Sequence, residues 1–192
     1  QELKDEQAEK RKAKFLKETN LPMKYIELLD IAYDGKRNRD FEIVTMELFR
    51  NVYRLHSKLL GGGRKPDGLL YQDRFGVIVD TKAYGKGYSK SINQADEMIR
   101  YIEDNKRRDE NRNPIKWWEA FPDTIPEFYF MWVSSKFIGK FQEQLDYTSN
   151  ETQIKGAALN VEQLLLGADL VLKGQLHISD LPSYFQNKEI EF

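Results

Sequence analysis

The spacing of apolar residues changes several times along the chain, and each change marks an element. Residues 2–18 are charged at most positions, which predicts a solvated helix, peripheral or linking to an upstream domain. Pro22 can open a second helix, with Tyr25, Ile26, Leu29 and Ala32 at helical spacing. "YDGKRN" breaks that pattern, and from about Asp40 to Leu55 a third helix sets Phe41, Val44, Leu48 and Val52 on one stripe. "GGGRKPDG" reads as a flexible loop ending in a Pro-Asp-Gly turn. Leu69 to Gln72 and Phe75 to Lys82 then read as two strands joined at Asp73-Arg74, an antiparallel hairpin. After a second glycine loop, "GKGYSK", a long helix runs from Ile92 to Glu110 with Ala95, Ile99 and Ile102 apolar. "NPIKWWEAFPDTIP" is bounded by prolines, and its Trp117 and Trp118 are expected in the core or as a lid on it. Phe128 to Ser134 is a strand by its aromatic and valine content, and Ala157 to Asn160 a shorter one. Helices are expected at 139–149, 161–173 and 178–186. Strands interleaved with helices predict an α/β domain, a small mixed sheet covered on both faces.

The chemistry gathers on the hairpin. Val77-Ile78-Val79 is apolar on successive positions, as a strand covered on both faces should be, yet it runs on into Asp80-Thr81-Lys82. Burying a carboxylate or an ammonium there is costly unless a counter-charge or a metal compensates. Asp67 and Asp80 stand equally far from the turn centre, so an unbulged hairpin sets them opposite one another, with Cβ atoms about 4.5–5.5 Å apart. Asp80 and Lys82 leave the strand on the same side. All three therefore converge at one end of the sheet, where the carboxylates can share a cation and the lysine the carboxylates. Such a site suits metal-assisted phosphodiester hydrolysis, with magnesium held by one or two carboxylates and by phosphate oxygens. Lys82 would orient or help deprotonate the attacking water, and Glu42, on the preceding helix, is a further ligand or water-holder. Taken alone, the same residues also fit an ordinary turn followed by a chance Asp-x-Lys.

Composition narrows the chemistry further. At 192 residues, with 40% hydrophobic and 32% charged positions, the chain suits one ordinary globular domain. It has no cysteine, which excludes thiolate metal sites, and only His56 and His177, which leave histidine-rich sites little to work with, so a metal would be bound by oxygen ligands. No stretch is long enough for a membrane span and no leader is visible. A net charge of −1, with basic clusters only at Lys10-Arg11-Lys12, Arg64-Lys65 and Lys106-Arg107-Arg108, is weak for a free-standing nucleic-acid binder. The first residue is Gln1, which suggests a piece of a longer protein.

"PDG…VDTK" has the form of the PD-(D/E)xK nuclease signature. The longer runs "LGGGRKPDGLLY", "FGVIVDTKAY", "GYSKSINQADEMIRYIEDN", "NPIKWWEAFP", "EFYFMWVSSKFIGKFQEQL" and "VEQLLLGADLVLKGQL" closely resemble the cleavage domains of type IIS restriction endonucleases, FokI and its relatives. The resemblance covers nearly the whole chain in the same order. It implies a three-layer α/β/α core with a small mixed central sheet, spanning residues 21–192 behind a charged helix or linker at 1–20. It also implies cleavage of double-stranded DNA without sequence preference, dependent on Mg2+ with Mn2+ as a substitute. A transient homodimer through helix 92–110, an upstream DNA-recognition domain and a prokaryotic cytoplasm are implied as well. Residue by residue, it makes Asp67, Asp80 and Lys82 catalytic and gives the metal to Asp67, Asp80 and the Thr81 backbone carbonyl. Glu42 is the accessory carboxylate, with Glu47 on the same helix as its competitor. Asp96 and Arg100 match a pair that meets across the family's dimer interface, where Arg112 and Glu151 replace isoleucines. The alternatives are another PD-(D/E)xK nuclease, for repair or nicking, and a catalytically silent DNA-associated dimerisation module.

Overall fold

The computed structural model describes the backbone of residues 2–89 and 92–192; Gln1 and residues 90 and 91, at the end of the second glycine loop, lie outside the described residues. The elements run α1 (Glu2–Glu18), α2 (Met23–Ile26), α3 (Leu28–Ile31), α4 (Asn38–Asn51), β1 (His56–Leu59), β2 (Gly68–Gln72), β3 (Phe75–Lys82), α5 (Ile92–Arg107), β4 (Glu127–Ser134), α6 (Phe141–Thr152), β5 (Gly156–Asn160), α7 (Val161–Leu172) and β6 (Lys188–Glu189). Short 3-10 turns lie at Gly35–Arg37, Trp117–Ala120 and Ile178–Tyr184.

The strands form one mixed sheet in the order β1-β2-β3-β4-β5-β6. The first three are antiparallel neighbours and β3 to β6 are parallel. Alternation along β3 divides the core in two. Phe75, Val77 and Val79 face a cluster with Phe41, Leu48 and Phe49 of α4 and Leu164 and Leu165 of α7. Ile78 faces the other way, onto Met98 and Ile102 of α5, Trp117, Trp118, Trp132 and Leu145 of α6. Both faces are thus covered, and the two tryptophans are core. Asp80 and Lys82 share the parity of Ile78 and leave β3 toward the α5 side.

Several boundaries differ from the expectations. The helix expected after Pro22 is two short turns, α2 and α3, joined at Glu27. The third helix starts at Asn38 and ends at Asn51, where Arg54 turns the chain with φ +65°. That turn frees His56–Leu59 to pair with β2, a strand the sequence did not announce because its neighbouring glycines read as loop. α5 stops at Arg107, short of Glu110, and 178–184 is a 3-10 turn interrupted by Pro182 rather than an α-helix. β6, only two residues long, was also missed. α1 lies on the body: Phe15 is buried, Lys12 pairs with Asp30 at 2.8 Å and the Arg11 guanidinium sits 4.2 Å above the Tyr33 ring. Among the described residues no helix is long and apolar enough to cross a membrane.

Candidate active site

The hairpin register is the one the sequence implies. Gly68 pairs with Val79 and Gln72 with Phe75, so one step past the ladder Asp67 stands opposite Asp80. At that step the backbone ladder gives way to side chains. The Asp67 amide donates to Asp80 Oδ1 at 3.0 Å, and the Thr81 amide donates to Asp67 Oδ2 at 2.8 Å. The Thr81 hydroxyl adds a longer bond to the same oxygen, 3.2 Å. Each carboxylate therefore takes a backbone donor from the opposite strand, which fixes both where the strands part. Gly68, next to Asp67, lets α4 and β1 pack close to this end of β2, since a β-carbon there would sit 2.8 Å from Met46 Sδ and 2.9 Å from the Lys58 carbonyl.

These bonds leave the charge uncompensated. Asp80 is 5% exposed. Burial pushes its carboxyl well above the usual carboxylate range and the neighbouring Asp67 charge pushes it further, against the pull of the Asp67 amide and Lys82. Burial likewise raises Asp67, to about 6, with the Thr81 amide opposing it and Glu42 adding to it. For Lys82, burial favours the neutral amine, but the charges of Asp80, Asp67 and Glu97 outweigh it and hold the ammonium above its ordinary range. Ser134 Oγ donates to the Lys82 carbonyl at 2.6 Å, and the Ala83 amide donates to Asn38 Oδ1 at 2.8 Å, so the end of β3 is anchored from β4 and α4.

The structure separates the two accessory candidates. Glu42, half-buried in the first turns of α4, is close enough to act directly on the Asp67 carboxyl and is held by Arg39 Nη1 at 2.7 Å. Glu47 instead pairs with Lys24 at 2.6 Å, away from the hairpin end. Asp96 and Arg100 both lie on α5, half-buried and exposed respectively, and no ion pair joins them among the described residues. Thr81 is buried on β3, its carbonyl between the two charged residues of the strand. Sequence reasoning missed Glu97, whose charge acts on both Asp80 and Lys82; its one signal is the tyrosine a helical turn further on. Among the described residues no group of three or more histidine, aspartate or glutamate side chains stands at metal-ligand spacing. What the hairpin end offers is a carboxylate pair and a strand carbonyl, a set of hard oxygen donors.

Known proteins resemble the chain along almost all of its length. A family model described as the FokI cleavage domain matches residues 5–191. The type II restriction enzyme FokI of Planomicrobium okeanokoites is 43% identical over 176 residues, 90% of this chain and 30% of that enzyme. StsI of Streptococcus sanguinis, also a type II restriction enzyme, is 36% identical over 155 residues, 79% of this chain and 26% of its own length. Solved structures of the restriction endonuclease FokI, one of them bound to DNA, superpose with a TM-score of 0.94 at 41% identity, covering 96% of this chain and 34% of theirs. The chain thus spans about a third or less of each relative. Its fold, its hairpin and its order of elements are those of one portion of these enzymes, and the chain belongs to the FokI cleavage-domain family.

Proposed function

We propose that this chain is the DNA-cleaving module of a type IIS restriction enzyme, hydrolysing phosphodiester bonds of double-stranded DNA with a divalent metal, Mg2+ or in its place Mn2+. The observation that carries the reading is the pair Asp67–Asp80, fixed opposite one another by each other's strands and both pushed toward protonation by burial. A buried acidic pair short of positive charge fits a hard dication, which Asp67, Asp80 and the Thr81 carbonyl would hold, with Glu42 behind Asp67. When bound, the metal supplies Lewis acidity at the phosphoryl oxygens. Lys82, whose ammonium form the charges of Asp80 and Asp67 favour against burial in the metal-free chain, would orient the attacking water and meet negative charge developing on the phosphoryl oxygens. The paired carboxylates hold the site's geometry before substrate arrives.

A site of this size cuts one strand, so a double-strand break takes two copies facing opposite strands. We assign the contact to α5, with Asp96 of one copy meeting Arg100 of the other across a two-fold axis. A net charge of −1 gives the module little affinity of its own for DNA, so a tethered recognition domain would raise its local concentration.

The test is incubation of the chain at high concentration with supercoiled plasmid in magnesium or in EDTA. Cutting is expected in magnesium alone, lost in Asp67→Ala, Asp80→Ala and Lys82→Ala, and reduced in Asp96→Arg and Arg100→Asp. Mixing the last two should restore double-strand breaks, since each supplies the charge the other lacks. Magnesium-dependent cutting by Asp80→Ala would overturn the site, and a mixture no better than either variant would overturn the interface.

A further inference from the structure

We propose that Tyr84 is a substrate-positioning residue of the cleavage site: its ring, stacked on the buried Tyr88, presents its hydroxyl as a donor to a DNA backbone phosphate beside the scissile one. The inference rests on the nuclease reading and adds to it a contact with the substrate beyond the charged residues of β3.

The placement follows from where the chain goes after Lys82. Two residues reach at most about 7 Å, so Tyr84 stands beside the end of the catalytic strand. It is anchored from two directions: the Tyr84 amide donates to the Ala32 carbonyl at 2.9 Å, and its carbonyl accepts from Ser135 Oγ at 2.6 Å. Its ring lies nearly parallel to that of Tyr88, with 11° between the planes and 5.3 Å between the centroids. Tyr88 is 1% exposed, packs on Phe137 and Phe141, and belongs to the core cluster on the α5 side of the sheet. That is the side from which Asp80 and Lys82 leave β3. The backbone of Tyr88 is pinned as well, its amide donating to the Lys136 carbonyl at 2.7 Å and its carbonyl accepting from the Ile138 amide at 3.1 Å. Tyr84 thus has a fixed base beneath it, yet it remains 39% exposed. Its hydroxyl has no protein partner among the described residues.

The chemistry of the side chain selects its partner. A phenol offers one O–H donor, and tyrosine is among the side chains that bind DNA phosphates. In a duplex the bases are stacked inside, so a ring at the end of the catalytic strand meets the sugar-phosphate backbone first. The phosphates of one strand advance about 3.4 Å each along the axis, so the reach from Lys82 to Tyr84 spans one or two of them. A donor that carries no charge holds such a phosphate without competing with a dication for the carboxylates. The stack on Tyr88 also restricts the ring before DNA arrives, which leaves little rotamer freedom to lose on contact.

The experiment compares wild type with Tyr84→Phe and Tyr84→Ala on an end-labelled DNA duplex in magnesium, with and without one neutral methylphosphonate in place of a backbone phosphate. On the unmodified duplex, Tyr84→Phe, which keeps the stack and loses the hydroxyl, should lower the rate constant at limiting DNA about tenfold, as expected for a hydrogen bond to a charged group. Tyr84→Ala should lose more. On the modified duplex, wild type should cut poorly at a bond one or two nucleotides from the methylphosphonate, where the phosphate that Tyr84 contacts has lost its charge. Tyr84→Phe should cut that bond as well as it cuts the same bond in unmodified DNA. Wild-type rates in Tyr84→Phe overturn the proposal. So does a slow Tyr84→Phe that keeps the wild-type pattern of depleted bonds, since the hydroxyl then acts through the fold and not on DNA. If Tyr84→Phe does not fold, the wild-type pattern decides: a depleted bond at that offset supports the contact, and its absence overturns it. A wild-type chain that leaves both duplexes intact in magnesium overturns the nuclease reading, and this inference with it.

Discussion

Two aspartates of this molecule are almost equally buried, and their surroundings are opposite. Asp104, near the end of α5, is 6% exposed and accepts from Arg112 Nε at 2.8 Å, Asn113 Nδ2 at 3.0 Å and Trp117 Nε1 at 3.4 Å. Asp80, at 5% exposure, accepts from the Asp67 amide, faces a second carboxylate and is driven toward its neutral form. Asp104 has been given a cation and two neutral donors; its task is finished in the folded chain. The Asp67–Asp80 pair has oriented geometry and a deficit of positive charge, which is what a site awaiting a ligand looks like. Burial of a carboxylate alone does not distinguish structure from function; the completeness of its partners does.

The contrast can be broken most forcefully at Asp104. Asp104→Ala leaves the buried Asn113 amide and the Trp117 indole without their acceptor and should cost about 3 kcal/mol by urea unfolding. Asn113 Nδ2 also donates to the Arg64 carbonyl at 2.9 Å, so this variant should loosen the loop before Asp67 as well. An unchanged urea midpoint would remove Asp104 from the structural side of the comparison.

A second effect has the opposite sign. Because the folded pKa of Asp67 is raised to about 6 from an ordinary 3.8, the folded state binds its proton more tightly than the unfolded chain. Its stability contribution is therefore fully present below about pH 4 and lost as pH rises through about 6. A shift of about two units corresponds to at most about 3 kcal/mol. In EDTA, the stability of wild type relative to Asp67→Asn should fall across that window, and saturating magnesium should reverse much of the loss by binding the ionised folded state. A flat or rising difference would show that the pair is already compensated. The smallest effects separate the accessory glutamates. Glu42→Gln should slow plasmid cleavage several-fold, whereas Glu47→Gln, which loses only a surface pair with Lys24, should leave cleavage and stability unchanged.

The features legible in the sequence were those written locally. The spacing of Asp67 and Asp80 about a two-residue turn fixes their opposition, and alternation fixes Asp80 and Lys82 on one side; both are found in the fold. The signs that failed depend on distant partners. His56–Leu59 has little strand character of its own and becomes one because β2 offers an edge, and β6 exists because β5 does. Glu42 and Glu47 are both acidic positions of one helix, and only the packing of α4 beside the hairpin end tells them apart. Glu97 looked like any charged helix residue until α5 was laid across the sheet. The hairpin spacing already pointed to a shared hard cation, whereas the expectation of a dimer helix came only from the resemblance to a known family, which no periodicity could supply.

The two-residue turn at Asp73-Arg74 has an evolutionary consequence. The carboxylate pair lies at the far end of the hairpin from the turn, and a ladder of five residue pairs, Gly68–Val79 to Gln72–Phe75, carries the register between them. Insertions within the turn enlarge a loop and leave the opposition of the carboxylates untouched. A single residue added to either strand shifts its pairing by one and sends one acidic side chain to the opposite face, where the aliphatic core of α4 and α7 stands. Indels in descendants of this gene should therefore collect at residues 73 and 74 and spare the stretch from 67 to 72 and from 75 to 82.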